Sequence, residues 1–594
     1  MKLSRRDFIQ ASLASLSTIV VSSGLSGCSL NDDDDADPSV VVSFNHGVAS
    51  GDPLKDSVIL WTRVTPEQDA NIMVSWEVHD MSTNELVNSG STLVTEATDY
   101  TLKVDAINLS AGKTYQYQFF ANGVASPMGE TKTLPEGSID AVRFAAISCS
   151  NYPAGYFNVY ADIAIRTDID AVLHLGDYIY EYGADGYATE RAEELGRTLA
   201  DDNNTETLTL TDYRKRYALY RSDEDLQACH QNHPFIVVWD DHEVTNDSYK
   251  DGAENHDESE GDYQERKRQA LQAYFEWMPI RVTNQGGEFS IYRSFSFGDL
   301  VDLHMLDTRI EARDKVIALT DFANAETGVD FAGFQTALMD SNRSLLGSEQ
   351  LGWLSTQMAT SNAQWQVLGQ QVLMGRMLLP GAVVTQSLSI EQFGTIAQTA
   401  IIAQRAQNMD PTLTPEELAF LEANQVLLTE ENLALIQLPA LPYNLDAWDG
   451  FAFEREVLLN TVADLDKNLV VLAGDTHNAW ANNIVATDPT SGEAKAVGVE
   501  FATASVSSPG LEQYLNLTTA EVVAATEAGL EQIIGDLQYC NLSDRGYMVV
   551  SFTAEEASAD WVFVDTIYDK NYSVLEARAT TKSVLPGADN RQVV

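Results

Sequence analysis

Alternation of apolar and polar residues dominates the first part of the chain. Between residues 40 and 136, short runs with a period of two are separated by Gly, Asn and Asp, as in SVILWTRV, NIMVSWEVHD and TYQYQFFANG. A period of two is typical of strands that bury one face, and frequent turn residues keep such strands short. The pattern therefore predicts a small β-sandwich over residues 40–136.

The pattern changes near residue 137, where continuous apolar runs each end in a group of polar residues. Segments with helical periodicity lie between several of these runs. The runs are VRFAAISCS, AVLHLGDYIY, PFIVVWDDHE, DLVDLHMLDTR, WQVLGQQVL and NLVVLAGDTH. This layout predicts an α/β catalytic domain over 137–575 with its chemistry at the ends of strands. A helical insertion is predicted at about 387–438, and a C-terminal tail at 576–594.

Composition limits the classes of function. The 594 residues exceed what one compact core accommodates, so at least two domains are expected. The chain carries 88 Asp and Glu against 36 Lys and Arg, a formal net charge of -52. Nucleic-acid binding needs a basic surface, which the sequence does not offer. An acidic surface also repels phosphate esters, so a phosphate site would need a metal ion or an arginine.

The first 28 residues predict export. Arg5 and Arg6, followed by Phe8 and an apolar stretch, form a twin-arginine signal. Leu25 to Cys28 resembles a lipobox, which would make Cys28 the lipidated first residue of the mature protein; an ordinary signal-peptide end with a stray cysteine is the alternative. Residues 29–39 then form an acidic tether. We expect a periplasmic or cell-surface lipoprotein, most compatible with the outer membrane.

Four predicted strand ends carry side chains that bind metal ions. Buried carboxylates are costly unless they are paired or coordinated, so four such ends together favour a metal centre. Thiolate, phenolate and imidazole ligands suit a ferric ion, and carboxylate and amide oxygens suit calcium. Cys149 considered alone could also be a buried apolar residue, half of a disulfide or a nucleophile. The residues are Cys149; Asp177 and Tyr180; Asp240, Asp241, His242 and Asn246; and Asp475 and His477.

The order of these strings resembles the metallophosphoesterase superfamily, and specifically the PhoD type of alkaline phosphatase/phosphodiesterase. The resemblance runs from about residue 43 to about 510. It implies an Ig-like N-terminal domain, a four-layer αββα catalytic domain, and Fe3+ and Ca2+ as cofactors. The strings are FNHGVASGDPLKDSVILWTRV, SCSNYPAGYFNVYADIA, GDYIYEYG, WDDHEVTND, LDTR, NLDAWDGFAFERE, GDTHNAW and VEFATASVSSPG.

The resemblance also implies roles for individual residues. The ferric ligands would be Cys149, Asp177, Tyr180 and His477. Asp177 would bridge to calcium, which Asn246 and Asp475 would also bind. Arg309 would hold the phosphate, and Asp241 and His242 would occupy the position of the superfamily's Asn-His pair. The family often has a second Asn where this chain has Asp247, which leaves the number of calcium ions open.

The implied function is hydrolysis of phosphate monoesters, diesters or both by a metal-bound oxygen nucleophile, for phosphate acquisition. A monomer is expected. The alternative is a surface lipoprotein that binds metal or phosphate without turnover. A disulfide between Cys229 and Cys540 stays open, because it requires their Cα atoms to lie within about 7 Å.

Overall fold

A computed structural model describes residues 19–22, 36–282, 289–324, 328–488 and 490–594. The predicted twin-arginine motif, Cys28 and most of the acidic tether lie outside the described residues. Within them, no helix is long and apolar enough to cross a membrane.

The largest sheet of the described chain has ten strands. Its three central strands, Val142–Ile147, Ala171–His174 and Pro234–Val237, run parallel, so their carboxyl ends share one edge. The spatial order is Ile19–Ser22, Thr101–Ile107, Ser57–Arg63, Val48–Gly51, Pro234–Val237, Ala171–His174, Val142–Ile147, Arg545–Phe552, Ala557–Val564 and Thr580–Val584. The last strand belongs to the segment predicted as a tail.

A second sheet of seven strands also has a parallel centre. Val301–Met305, Trp365–Gly369 and Leu469–Ala473 pair in parallel register, so their carboxyl ends again share one edge. The spatial order is Arg293–Phe297, Val301–Met305, Trp365–Gly369, Leu469–Ala473, Ala494–Ala502, Ala479–Thr487 and Leu537–Asn541.

The two sheets pack face to face around one apolar core. The rings of Phe144 and Phe297, from opposite sheets, have their centroids 5.0 Å apart. At another point, Trp561 of the large sheet donates from Nε1 to the Ala502 carbonyl of the second sheet at 2.9 Å. Ser148, which follows a strand of the large sheet, forms a β-bridge with Ser505 beyond the second. Side chains that follow strands of both sheets can therefore meet at this edge.

The N-terminal region is a pair of sheets, as the alternating pattern predicts. Ile72–Asp80 alternates buried and more exposed side chains, and Trp76 shares a core with Leu60 on the opposing sheet. The opposing sheet is continuous with the catalytic sheet, because Val48–Gly51 pairs in parallel with Pro234–Val237. The sequence predicts the region but not this continuity. The smaller sheet contains Ile72–Asp80, Leu86–Val94, Thr114–Ala121, Val124–Ala125 and Gly129–Lys132.

Helices pack on the outer faces of the two sheets. Asn158–Ala164 and Glu224–Asn232 contact strands of the large sheet, and residues of Gly347–Thr360 and Ala452–Asp464 share a second core with the seven-stranded sheet. The α-helices are Asn158–Ala164, Ala192–Leu195, Leu210–Tyr220, Glu224–Asn232, Tyr263–Trp277, Phe331–Leu338, Gly347–Thr360, Gly381–Val384, Ile390–Gln407, Pro415–Asn424, Glu430–Leu435, Ala452–Asp464, Leu511–Tyr514 and Ala520–Ile533. The 3-10 helices are Glu96–Thr98, Glu258–Glu260, Leu319–Phe322, Gln425–Leu427 and Trp448–Phe451.

The predicted insertion at 387–438 is helical. Ser389 and Thr414 each cap a helix by a reciprocal side-chain capping box, which explains where these helices begin. Short antiparallel strands, Leu378–Pro380 and Ala440–Pro442, join the two ends of the insertion. The other two-stranded pairs are Val42–Ser43 with Thr65–Pro66 and Ala323–Asn324 with Gly328–Val329.

Candidate metal centre

Four of the predicted metal ligands have left-handed backbone conformations. The φ angles are 61° for Cys149, 55° for Asp177, 63° for Asp475 and 61° for His477. Residues other than glycine rarely adopt this region, and such strain persists only where the surrounding structure imposes it. Each residue lies shortly after a parallel strand, where the chain turns sharply, so the fold maintains the strain at the edge where both sheets end.

The first group of candidate ligands contains Cys149, Asp177 and His477. One ligand atom from each lies within 4.8 Å of the others, and all three residues are buried. The Tyr180 hydroxyl joins them, at 3.0 Å from Asp177 Oδ2 and 3.1 Å from His477 Nε2. These are the four residues for which the sequence implies a ferric site.

The environment of this group disfavours the anionic forms of its thiol and phenol. Burial, reinforced by the Asp177 carboxylate, raises the pKa of both Cys149 and Tyr180. A bound cation reverses this effect, because it stabilises thiolate and phenolate directly.

Contacts from neighbouring loops fix the orientation of His477. Its Nδ1 lies 2.6 Å from the Pro509 carbonyl and 3.2 Å from the Tyr187 hydroxyl. A carbonyl can only accept, so Nδ1 carries the hydrogen and Nε2 remains available as a ligand. Ser508 similarly orients Tyr180, because its Oγ donates to the Tyr180 hydroxyl at 2.7 Å.

A second group consists of carboxylates. Asp240, Asp241 and Asp475 offer ligand atoms within 4.8 Å of one another, and Asp177, Asp241 and His242 do the same. Asp177 therefore belongs both to the first group and to the cluster with Asp241 and His242, which agrees with the bridging position predicted for it. The sequence predicts this position for Asp177 from the turn at Gly176, whose φ is 113°.

Arg309 lies among these carboxylates. Its guanidinium contacts Asp240 through Nε, Asp446 through Nη1 at 2.5 Å and Asp475 through Nη2 at 2.7 Å. The side chain is 1% exposed. Carboxylates therefore surround the guanidinium, and its role of holding phosphate stays a prediction. Arg313 pairs with the other oxygen of Asp446.

The donors fit metal cations. Asp177 Oδ1 and Asp240 Oδ2 are buried without a hydrogen-bond partner. Burial, opposed by Arg309 and reinforced by Asp446 and Asp241, raises the pKa of Asp475 to about 7. Unpartnered carboxylate oxygens beside carboxyls with raised pKa values are what hard cations stabilise.

His242 is held by a buried glutamate. Its Nδ1 lies 2.7 Å from Glu181 Oε2, and the other oxygen of Glu181 accepts the backbone N–H of Asn246 at 2.7 Å. Burial disfavours the charged imidazole, but Glu181, Asp241 and Asp177 outweigh it and raise the pKa of His242. Glu181 therefore both orients His242 and favours its protonated form.

Asn246 is less directly connected to the predicted calcium ligands. Its side-chain amide donates to Glu254 at 3.2 Å. The adjacent Asp247 donates from its backbone N–H to Asp241 at 2.6 Å. Among the predicted calcium ligands, Asn246 is thus engaged by another carboxylate, Glu254.

Sequence reasoning assigned no role to three residues that complete the site. Asp446 follows the insertion and pairs with Arg309; it lies in the NLDAWDGFAFERE string, but no strand-end pattern marks the residue. Tyr187 lies in the loop that follows the GDYIYEYG string, and Ser508 lies in the VEFATASVSSPG string. Each reaches the site through tertiary contacts that local patterns do not encode.

Cys229 and Cys540 do not form a disulfide. Both are buried free cysteines, and they belong to different apolar cores. Cys149 is also a free cysteine, which agrees with a ligand role.

Comparisons with known proteins agree with this geometry. The family model described as PhoD-like phosphatase matches residues 144–561, and that of its N-terminal domain matches residues 30–135. The chain is 32% identical over 535 residues to alkaline phosphatase D of Bacillus subtilis (strain 168), covering 87% of this chain and 77% of that protein. A solved structure described as "Structure of PhoD" superposes with a TM-score of 0.70 at 28% identity, covering 93% of this chain and 92% of the other.

The fold and the site thus define a phosphoric ester hydrolase of mixed α/β architecture. The chain belongs to the PhoD-like phosphatase family, which confirms the resemblance drawn from the strand-end strings.

Proposed function

We propose that this chain is an exported, metal-dependent phosphoesterase that hydrolyses phosphate monoesters, diesters or both and serves phosphate acquisition. The observation that carries the proposal is the convergence of Cys149, Asp177 and His477 beside a cluster of Asp241 and His242 that shares Asp177. Membership of a phosphatase family supplies the reaction class. The architecture would be a four-layer αββα metallophosphoesterase sandwich preceded by an Ig-like domain.

The proposed cofactors are Fe3+ and Ca2+. Cys149, Tyr180 and His477 would hold the ferric ion with Asp177, because thiolate, phenolate and imidazole suit an electrophilic transition metal. Asp177 and Asp475, joined by Asn246, would hold calcium through oxygen atoms. Bound there, the cations would supply Lewis acidity and activate the attacking water.

His242 is the proposed proton donor to the leaving group. Glu181 fixes its Nδ1 at 2.7 Å, and the imidazole lies beside Asp177 and Asp241. The raised pKa of His242 keeps a proton available when the departing ester oxygen needs one.

Arg309 is proposed to bind the negative phosphoryl oxygens, and Asp241 is proposed to stabilise the positive charge of protonated His242. Asp240 and Asp446 hold the guanidinium of Arg309. Asp475 would serve as an oxygen ligand for the cation, and the Nη2 group beside it would hold the phosphoryl oxygens. The Asp241 carboxylate, 3.7 Å from Nη2, would remain beside His242 and favour its protonated form.

The proposed location is outside the cytoplasm. Support comes from the twin-arginine motif at Arg5 and Arg6 and from the lipobox ending at Cys28. The protein would be a monomer anchored by lipid on Cys28.

The test uses natively exported protein. Elemental analysis measures iron and calcium, and release of p-nitrophenol from p-nitrophenyl phosphate and bis(p-nitrophenyl) phosphate measures turnover, with and without a calcium chelator. We expect both metals, turnover that falls under chelation, and a Cys149→Ala variant that loses iron and at least about 100-fold in kcat/KM.

Cys229→Ala is the matched control, because Cys229 is equally buried but lies in the helix Glu224–Asn232. It should retain metals and activity. A metal-loaded protein that hydrolyses neither ester would favour the non-catalytic alternative. Full iron content in Cys149→Ala would contradict the assigned ligand set.

A further inference from the structure

One buried glutamate joins two of the turns that carry candidate metal ligands. Glu243 follows Asp240 by three residues, and its side chain is buried. Its Oε1 accepts the backbone N–H groups of Tyr178 at 2.5 Å and of Ile179 at 3.4 Å. Its Oε2 accepts the backbone N–H groups of Asp177 at 3.1 Å and of Asp240 at 2.6 Å. A single carboxylate thus holds together the turns that follow two neighbouring parallel strands.

The two turns lie too close to each other for a side chain between them. A Cβ placed on Gly176 would lie 2.4 Å from the Cβ of Asp240 and 2.9 Å from its backbone nitrogen. Asp177, the next residue, has a φ of 55°, which residues other than glycine rarely adopt. Such a conformation persists only where surrounding contacts impose it, and the hydrogen bond to Glu243 is one of these contacts.

The contacts of Glu243 need no cation to form, because donors and acceptor all belong to the protein. Hydrogen bonds from backbone N–H groups to a carboxylate are charge-assisted, and burial strengthens them further. They fix the backbone of Asp177 and Asp240, whose side chains belong to the groups of candidate ligands. A group that is held in place before binding loses less conformational freedom when its ligand arrives.

We propose that Glu243 is a positioning residue that preorganises the metal centre. It holds the turns of Asp177 and Asp240 together before a cation binds, and so determines where their carboxylates lie. The inference rests on the proposed function for the identity of the cations. Loss of the Glu243 carboxylate should therefore weaken cation binding, although no candidate ligand is removed.

The first test measures backbone hydrogen exchange in the wild-type protein by mass spectrometry. The protein is compared as exported and after chelation has removed both metals, which elemental analysis verifies. We expect the amides of Asp177, Tyr178 and Asp240 to stay protected by at least about 100-fold without metals, because their acceptor is Glu243. Free exchange without metals, with protection only in the metal-loaded protein, would overturn the proposal.

The second test uses Glu243→Gln, which keeps the size of the side chain. The amide group of glutamine replaces one acceptor oxygen with a donor, which then faces a backbone N–H. Calorimetry with calcium measures the dissociation constant of chelator-treated protein, and elemental analysis measures the iron retained. We expect the calcium Kd to rise about 10–100-fold and the iron content to fall. The amides of Asp177 and Asp240 should also lose protection in the absence of metals.

Glu500→Gln is the matched control for a role in stability alone. Glu500 is equally buried, and its oxygens accept the backbone N–H groups of Met374 at 2.5 Å and of Gly375 at 2.9 Å. Glu500→Gln should lower resistance to urea, as Glu243→Gln does, but should keep the wild-type calcium affinity and iron content. If both variants lose stability and neither loses metal affinity, Glu243 is structural and not a positioning residue.

The outcomes separate the two proposals. A wild-type protein that binds neither metal and hydrolyses no ester would contradict the proposed function. Metal binding and turnover in the wild type, with unchanged metal affinity in Glu243→Gln, would overturn the role of Glu243 alone. Should Glu243→Gln not fold, hydrogen exchange in the metal-free wild-type protein decides, because that measurement needs no substitution.

Discussion

Buried charges are arranged differently at the candidate metal centre and at the junction between the N-terminal strands and the catalytic sheet. At the junction, each acid has its own arginine. Arg293 contacts both oxygens of Asp52, at 2.8 and 2.6 Å, and Arg214 contacts both oxygens of Glu276, at 2.6 and 2.7 Å. These paired charges satisfy each other within the protein.

At the metal centre, acids outnumber cations. Five carboxylates share Arg309, Arg313 and His242, and two carboxylate oxygens have no hydrogen-bond partner. The five are Asp177, Asp240, Asp241, Asp446 and Asp475. Buried polar groups are usually satisfied, so an excess of one sign indicates a cation-binding site better than burial alone does.

The largest expected effect comes from breaking one pair in each region. Arg293→Met leaves Asp52 buried without its partner and should cost about 3–5 kcal/mol in the free energy of unfolding. Calcium should not change this loss, because the junction offers no surplus carboxylates. Arg309→Met should cost a similar amount in chelator but clearly less in calcium, where the cation replaces the lost charge. Urea denaturation with and without calcium measures both.

Arg405→Met is the control, since Arg405 forms its ion pairs at the surface of the insertion and surface pairs contribute about 0–1 kcal/mol. Equal calcium responses of Arg293→Met and Arg309→Met would show that the two regions do not differ as proposed.

The sequence alone predicts the half of the site whose residues lie in short turns directly after buried strands. Cys149, Asp177 and His477 each follow a predicted strand within a few residues, and parallel strands bring such ends together. Tyr180 follows Asp177 by three residues. Local spacing therefore determines these positions, and the structure brings them together as expected.

The remaining half depends on contacts between distant segments. Asp446 reaches Arg309 from beyond the helical insertion, and Tyr187 reaches His477 from a loop without regular structure. Similarly, the pairing of Val48–Gly51 with Pro234–Val237 joins two predicted domains through one sheet. Nothing in the period of apolar residues specifies which distant strand or loop will be the partner.

A smaller effect is expected from loosening one orienting contact at the metal centre. Glu181→Gln keeps the shape of the side chain but removes the charge that holds His242. We expect kcat to fall about 10–100-fold with little change in KM. Because Glu181 raises the pKa of His242, the alkaline limb of the kcat–pH profile should move to lower pH. Glu193→Gln, on the exposed surface, is the control, and an unshifted alkaline limb would contradict the role of Glu181.

The smallest effect concerns a buried titratable group at the junction. His46 packs edge-to-face on Trp277 at 5.1 Å. Burial, reinforced by Arg63 and Arg221, lowers its pKa to about 3. In the unfolded chain His46 binds a proton near pH 6.5, whereas in the folded protein it binds one only near pH 3. The contribution of the neutral imidazole to the unfolding free energy is therefore full above pH 6.5 and is lost as the pH falls toward 3.

Replacement of this imidazole by a ring that does not titrate should remove that dependence. His46→Phe keeps an aromatic ring on Trp277, and relative to wild type it should gain about 1 kcal/mol in unfolding free energy between pH 6.5 and pH 5.5. Urea denaturation at the two pH values, with calcium and chelator compared, measures the gain. The same gain in both solutions would show that the junction titrates independently of the metal centre; a gain only in chelator would show that the two regions are coupled.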